Sequence, residues 1–176
     1  MSDAINIRGA RDADIPAIAA IYGHHVLHGL ASFETEAPGA QEMARRRTEI
    51  LARNFPYLVA ELDGRVAGYA YASHYRTRFA YRFSVEDSIY VDPACVGRGV
   101  GNKLLEELIA ECSKRGFRQM IAVIGDSGNF PSIKLHEACG FTLTGSFKSI
   151  GFKHGRWVDS VLMQRALGSG DTTLPA

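Results

Sequence analysis

The chain has 176 residues, 46% of them hydrophobic and 22% charged, which suits one soluble domain with a genuine core. A formal net charge of +1 offers no field for nucleic acid or an anionic membrane surface, so neither is an expected partner. The longest apolar run, Met120–Ile124, is far short of the roughly 18 residues of a spanning helix, and Met1–Arg8 lacks the basic-then-apolar pattern of a secretory signal, so the cytoplasm is the expected compartment.

Ile5 and Ile7 alternate with polar neighbours and predict a short first strand. Asp12 or Asp14 can cap the helix that follows, Pro16 fits its first turn, and Ile15, Ile18, Ala19, Tyr22 and Val26 mark its buried face. His24, His25 and His28 near its end lack the acidic partner of an HExxH motif and suit the helix dipole better, so no metal site is expected. A loop over Ala31–Pro38 leads to a second helix over Gln41–Ala52, whose Arg45, Arg46 and Arg47 read as a solvated face.

Tyr57–Leu62 and Arg65–Ala72 are predicted strands, joined at Asp63-Gly64 by a type I′ hairpin turn. A basic, aromatic stretch from His74 to Phe83 then runs into the strand Ser84–Val91, the glycine turn Gly97–Gly101, and a helix striped by Leu104, Leu105, Leu108, Ile109 and Cys112 that stops at Gly116. The continuous apolar run Gln119–Ile124 predicts a strand buried on both faces, completing a right-handed βαβ unit. Asn129–Ser132 opens a further helix that ends at Cys139-Gly140, and two last strands, Phe141–Phe152 in part and Arg156–Gln164, flank the turn Lys153-His154-Gly155. Residues 1–167 are expected to form one domain, and the polar, small-residue tail 168–176 to be disordered. Cys95, Cys112 and Cys139, odd in number and widely spaced, read as reduced thiols.

The glycine turn is the feature with chemistry in it. A P-loop requires Gly-Lys-Ser/Thr where this chain has Gly101-Asn102-Lys103, and a Rossmann fingerprint would need its third glycine at Asn102. What remains is a Gly99-x-Gly101 turn opening a helix, where free backbone N–H groups and the helix dipole can wrap a pyrophosphate. On spacing alone, a strand-to-helix turn that binds nothing stays open.

Five stretches together resemble the GCN5-related N-acetyltransferases, and within them the phosphinothricin and methionine sulfoximine/sulfone acetyltransferases: Ala31-Ser32-Phe33 with Glu36; Val85-Glu86 before Ser88–Val91; Gly97–Gly101; Asn129–Ser132 before Leu135-His136-Glu137; and Gly151–Trp157. The resemblance covers nearly the whole chain. It implies an α/β (α+β) fold: a central, mixed but mostly antiparallel twisted sheet, splayed at its βαβ unit, with helices on both faces. It also implies acetyl-CoA as co-substrate and no metal. By the same resemblance, Ile89, Tyr90 and Val91 lie along the pantetheine arm, the amides of Gly97, Arg98, Gly99, Val100, Gly101 and Asn102 hold the pyrophosphate, and Asn129 and Ser132 complete the cofactor site. Val96, Asp87 and Cys95 depart from residues common in relatives.

The implied reaction is attack of a substrate amine on the thioester in a ternary complex. An α-amino group of pKa about 8 is about one-tenth neutral at pH 7, a cost of about 1.4 kcal/mol, so positioning and oxyanion stabilisation outweigh deprotonation. Glu86 is the expected base, with a half-buried structural carboxylate as the alternative; the Ile89 N–H would polarise the thioester carbonyl, and His136 stands where many relatives carry a tyrosine that protonates the thiolate. Phe33, Tyr81 and Tyr90 would form the acceptor's walls and Arg76 and Arg78 would meet its anionic oxygens, with Lys153 and Trp157 on a hairpin that lies near a homodimer's two-fold axis in the family. The expected acceptor is a small amino-acid-like compound such as phosphinothricin, methionine sulfoximine or methionine sulfone. Another small amine, a protein N-terminus, or acyl-CoA binding without turnover are the alternatives.

Overall fold

Alternation and helical periodicity resolve, in a computed structural model that describes residues 4–175, into one seven-stranded sheet with helices on both faces. The first three residues and Ala176, the last residue of the expected tail, lie outside the described part. The strands are β1 (Asn6–Gly9), β2 (Tyr57–Leu62), β3 (Arg65–His74), β4 (Ser84–Val91), β5 (Gln119–Gly125), β6 (Thr142–Lys153) and β7 (Arg156–Ala166); the helices are α1 (Ile15–His28), α2 (Ala40–Ala52), α3 (Val100–Lys114) and α4 (Phe130–Ala138). The spatial order is β1-β2-β3-β4-β5-β7-β6, antiparallel throughout except for β4 against β5.

Two cores sandwich this sheet. Ile18, Tyr22 and Val26 of α1 and Met43 of α2 bury against Tyr57, Val59 and Tyr69, while Leu104, Leu105 and Leu108 of α3 bury against Leu58, Ala60, Ala70, Val85 and Met120. Each fully buried leucine of α3 contributes about 1.5–3 kcal/mol relative to exposure, so this stripe anchors the βαβ unit. The Asp63-Gly64 turn has φ of +53° and +73°, the two positive angles that a type I′ hairpin requires. Gly116, at φ +84°, stops α3 as its position predicts. All three cysteines are free and buried.

Several local expectations are corrected. Neither Asp12 nor Asp14 caps α1 with its side chain. The Asp14 carboxylate instead takes two hydrogen bonds from Arg8, at 2.7 and 2.9 Å, and one from the Arg11 N–H, because a buried carboxylate is stable only when paired. Of the α2 arginines only Arg45 is a solvated one: Arg46 pairs with Glu34 and Glu42, and Arg47 is largely buried, reaching the Ala10 carbonyl and Asp12. Beyond β7, Arg118 donates to the carbonyls of Gly170 and Leu174 and to the Thr173 hydroxyl.

Candidate active site

The site begins where two parallel strands part. β4 and β5 are in register only at Ser84–Gln119, Val85–Met120 and Glu86–Ile121; beyond Glu86, β5 continues against β7 and leaves the second half of β4 open. The carbonyl of Tyr90 lies against Gly68 of β3, so alternation turns the backbone groups of Ile89 and Val91 to the opposite, open edge. His25 donates from Nε2 to the Val91 carbonyl at 2.8 Å, which leaves the Ile89 N–H and C=O and the Val91 N–H facing the gap. These are the groups an amide-bearing arm could pair with as an added strand.

From that gap a cleft of about 900 Å³ runs to the glycine turn, lined by Val91, Gly97, Gly99, Gly101, Asn102, Pro131 and Leu135 among others. Gly97 and Gly99 adopt φ of +80° and +83°, a conformation that costs other residues about 1–2 kcal/mol, and Gly99 immediately precedes α3. Gly101 lies against Leu135 of α4, where a Cβ would come within 3.2 Å of the leucine Cδ2. Long apolar walls ending on a helix N-terminus with a bare backbone fit the shape and charge of a pantetheine chain with its diphosphate. Asn129 caps α4, its side chain accepting from the Ser132 N–H at 3.3 Å, and both residues line the cleft.

A smaller cavity of about 260 Å³ adjoins the parting point. Glu86, Ser88 and Tyr90 reach it from one face of β4, as alternation predicts, together with Ser32 and Phe33 of the loop after α1. Asp87, Ile89, Ser132 and His136 border it as well, joined by Ser160 of β7. Burial, reinforced by the neighbouring Asp87 and opposed by Arg76, lifts the Glu86 pKa from 4.5 to about 7. The His136 ring is buried with both nitrogens engaged: Nδ1 faces the Ser132 carbonyl at 2.7 Å and Nε2 faces Asp87 Oδ2 at 3.0 Å. Burial alone would lower its pKa, but the hydrogen bond and charge of Asp87 outweigh burial and raise it.

The loop after α1 is held from three directions. The Tyr22 hydroxyl donates to Glu34 at 2.7 Å and lies 2.8 Å from the Ser32 hydroxyl, Arg46 pairs with Glu34, and the buried Lys153 ammonium donates to the Ser32 carbonyl at 2.7 Å. Phe33 packs against Gly151 of β6, where a Cβ would meet its ring at 2.5 Å. Lys153 therefore supports the Phe33 loop and does not line the cavity. Arg76, Arg78 and Tyr81 stay on the exposed 75–82 loop outside the lining, although the charge of Arg76 is felt at Glu86.

The sequence brought out Ser32 and Gly151 only as members of stretches that resemble relatives, gave no role to Gly125 or Ser160, and met Asp87 only as a departure from relatives. Asp87 carried a signal in being a second carboxylate beside the expected base. Gly125 carried none, because what it touches, the carbonyls of Leu30 and Ala31, lies far away in the chain.

The acetyltransferase (GNAT) family model matches residues 25–141. A phosphinothricin N-acetyltransferase of Alcaligenes faecalis is 57% identical over 172 residues, covering 98% of this chain and 87% of the relative. An L-methionine sulfoximine/L-methionine sulfone acetyltransferase of Salmonella typhimurium is 39% identical over 163 residues, covering 93% and 95% of the two chains. Among solved structures, a phosphinothricin acetyltransferase of Sinorhizobium meliloti in complex with acetyl-CoA superposes with a TM-score of 0.95 at 49% identity, covering 100% of this chain and 94% of that one. With the parted strands, the glycine turn and a family match over most of its length, the chain belongs to the GNAT acetyltransferase family.

Proposed function

We propose that this protein moves an acetyl group from acetyl-CoA to the α-amino group of a small amino-acid-like acceptor of the phosphinothricin, methionine sulfoximine or methionine sulfone type. The observation that carries this is the placement of Glu86: a carboxylate with a pKa of about 7 lining a small cavity that shares Ile89, Tyr90, Asn129 and Ser132 with the cleft leading to the glycine turn. The names of the relatives in Alcaligenes and Salmonella supply the acceptor class, and the acetyl-CoA complex of the Sinorhizobium protein supplies the donor.

In this reading the pantetheine amides pair with Ile89 and Val91, and the diphosphate meets the amides of Gly97 to Asn102 at the start of α3. Asn129 and Ser132 border the arm. The acceptor's ammonium enters beside Glu86, between Phe33 and Tyr90. A carboxylate with pKa about 7 is about half ionised at neutral pH, well matched to remove a proton from an ammonium of pKa about 8. The neutral amine attacks the thioester carbonyl, the Ile89 N–H meets the developing oxyanion, and the thiolate leaves toward His136. Arg76 and Arg78 supply positive charge at the rim for the acceptor's anionic oxygens, with Tyr81 beside them.

The whole described chain acts as one domain in this reading. The exposed apolar face of the β6–β7 hairpin, with Phe147, Ile150, Phe152 and Trp157 each more than half exposed, supports a homodimer. Three buried free cysteines are compatible with a reducing cytoplasm. No helix among the described residues is long and apolar enough to cross a membrane.

The test is CoA release from acetyl-CoA against a panel of phosphinothricin, the two methionine derivatives, common amino acids and a peptide N-terminus. One of the three named acceptors should give the highest kcat/KM. Acetyl-CoA binding with no acetylated amine in the panel would overturn the reading in favour of an acyl-CoA-binding module.

A further inference from the structure

Residues level with one another on neighbouring strands project to the same face of a sheet, and alternate residues of one strand share a face. Glu86 is level with Ile121; two full alternations along β5 lead to Gly125, which is opposite Ser160 of β7. Glu86 and Ser160 therefore share one face, on opposite sides of the parting, and both line the smaller cavity. A Cβ at Gly125 would come within 3.1 Å of the Phe33 ring, so Ser160 stands beside the Phe33 wall. Ser160 is 5% exposed, yet no hydrogen bond among the described residues uses its hydroxyl. The polar groups around the cavity are engaged: Ser32 with Tyr22 and the Glu34 N–H, Tyr90 with Tyr22, Ser88 with Tyr71, and Asn129 with the Ser132 N–H. A buried hydroxyl that opens on a cavity without a partner favours contents that can hydrogen-bond to it. Its neighbours Phe33, Val123 and Gly125 are apolar, so one donor fixes where a polar atom can sit on that side.

We propose that Ser160 is a specificity-determining residue: its hydroxyl donates to an oxygen on the acceptor's sulfur or phosphorus and so selects an oxidised side chain over a plain thioether. This rests on the acetyltransferase reading above. There the ammonium meets Glu86, and the rim arginines on the loop joining β3 to β4 meet the carboxylate, both on the β4 side. The oxygen at the far end of the acceptor is left for the β7 side, where Ser160 stands. A hydroxyl donates well to such an oxygen, whereas a thioether sulfur is a weak acceptor. An acceptor without the oxygen leaves the Ser160 hydroxyl unpaired. A site built to bond a polar group rejects the analogue that lacks it more strongly than an apolar pocket rejects an added hydroxyl.

Methionine sulfone and methionine, which differ only in the oxygens on sulfur, make the comparison. The unsubstituted protein should show a higher kcat/KM for the sulfone. Ser160→Ala should reduce the sulfone-to-methionine ratio about ten- to a hundredfold while the KM for acetyl-CoA stays within about twofold. Ser160→Cys, whose thiol is a weak donor, should reduce the ratio as well and serves if the alanine variant does not fold. Binding is read separately from turnover. With CoA bound, the sulfone should raise the Tm of the unsubstituted protein further than an equal concentration of methionine, and the gap should close in the variants. A ratio that neither variant changes, or the absence of a Tm gap in the unsubstituted protein, overturns the proposal. A Tm gap that closes in the variants, with neither compound acetylated, supports Ser160 as the selecting group and overturns only the acetyltransferase reading.

Discussion

Replacing Glu86 by glutamine separates its chemical role from the energetic penalty of holding a carboxylate in that position. The folded-state pKa of Glu86 rises from 4.5 to about 7, chiefly through burial and secondarily through Asp87. A rise of that size corresponds to about 3 kcal/mol between the ionised and neutral forms, and water in the adjoining cavity screens part of it, leaving about 1–3 kcal/mol. Because the pKa is raised on folding, the protonated group's stability is fully present below pH 4.5 and is lost as pH climbs through 7. Glu86→Gln, neutral throughout, should match the unsubstituted protein in Tm near pH 4, pull ahead between pH 4.5 and 7, and hold a lead of about 3–9 °C above pH 7. The same variant should lose about a hundredfold in kcat/KM. Thermal melts at several pH values, alongside initial rates, make the comparison. A Tm difference that is flat across this range, or a variant less stable at pH 8, would show that Glu86 is not held against its ionisation and would remove the argument that it is poised as a base.

Gly151→Ala should push the Phe33 ring from its seat, raising the acceptor's KM about tenfold while the acetyl-CoA KM stays within about twofold; equal changes in both would mean the ring does not wall the acceptor. Gly99→Ala, at φ +83°, should cost about 1–2 kcal/mol of stability and weaken acetyl-CoA binding, measurable by calorimetry. Arg118→Ala should leave kcat unchanged and Tm within a few degrees, yet accelerate amide hydrogen exchange over residues 168–174, since those carbonyls lose their donor.

The elements that sequence foretold are those whose determinants lie within a few residues. The Asp63-Gly64 turn needs two positive φ angles and has the residues that tolerate them; the α3 stripe and the Gly116 stop obey the helical repeat; the glycine turn is a run of adjacent residues. The second half of the site is built from pairs that no window contains. His136 meets Asp87 at a separation of 49 residues, and Lys153 meets the Ser32 carbonyl at 121. Arg46 and Arg47 read as solvated because helical spacing gives the direction in which each projects, but not that Glu34 lies over one and the Ala10 carbonyl over the other.

The parting of β4 and β5 belongs to the same class, and it generates the site. Nothing in the alternation of either strand requires pairing to stop after Glu86–Ile121. The loop after α1 packs onto the end of β5: a Cβ at Gly125, the last residue of β5, would collide with the Leu30 carbonyl and come within 3.1 Å of that of Ala31. The loop is fastened there by Lys153, Tyr22 and Glu34. Those fastenings hold Phe33 at the cavity beside Glu86. One loop thus lines both the smaller cavity, through Ser32 and Phe33, and the cleft, through Leu30 and Ala31; in the proposed reading loosening it should impair acceptor and donor binding together, whereas Gly151→Ala, which moves only the Phe33 ring, should impair the acceptor alone.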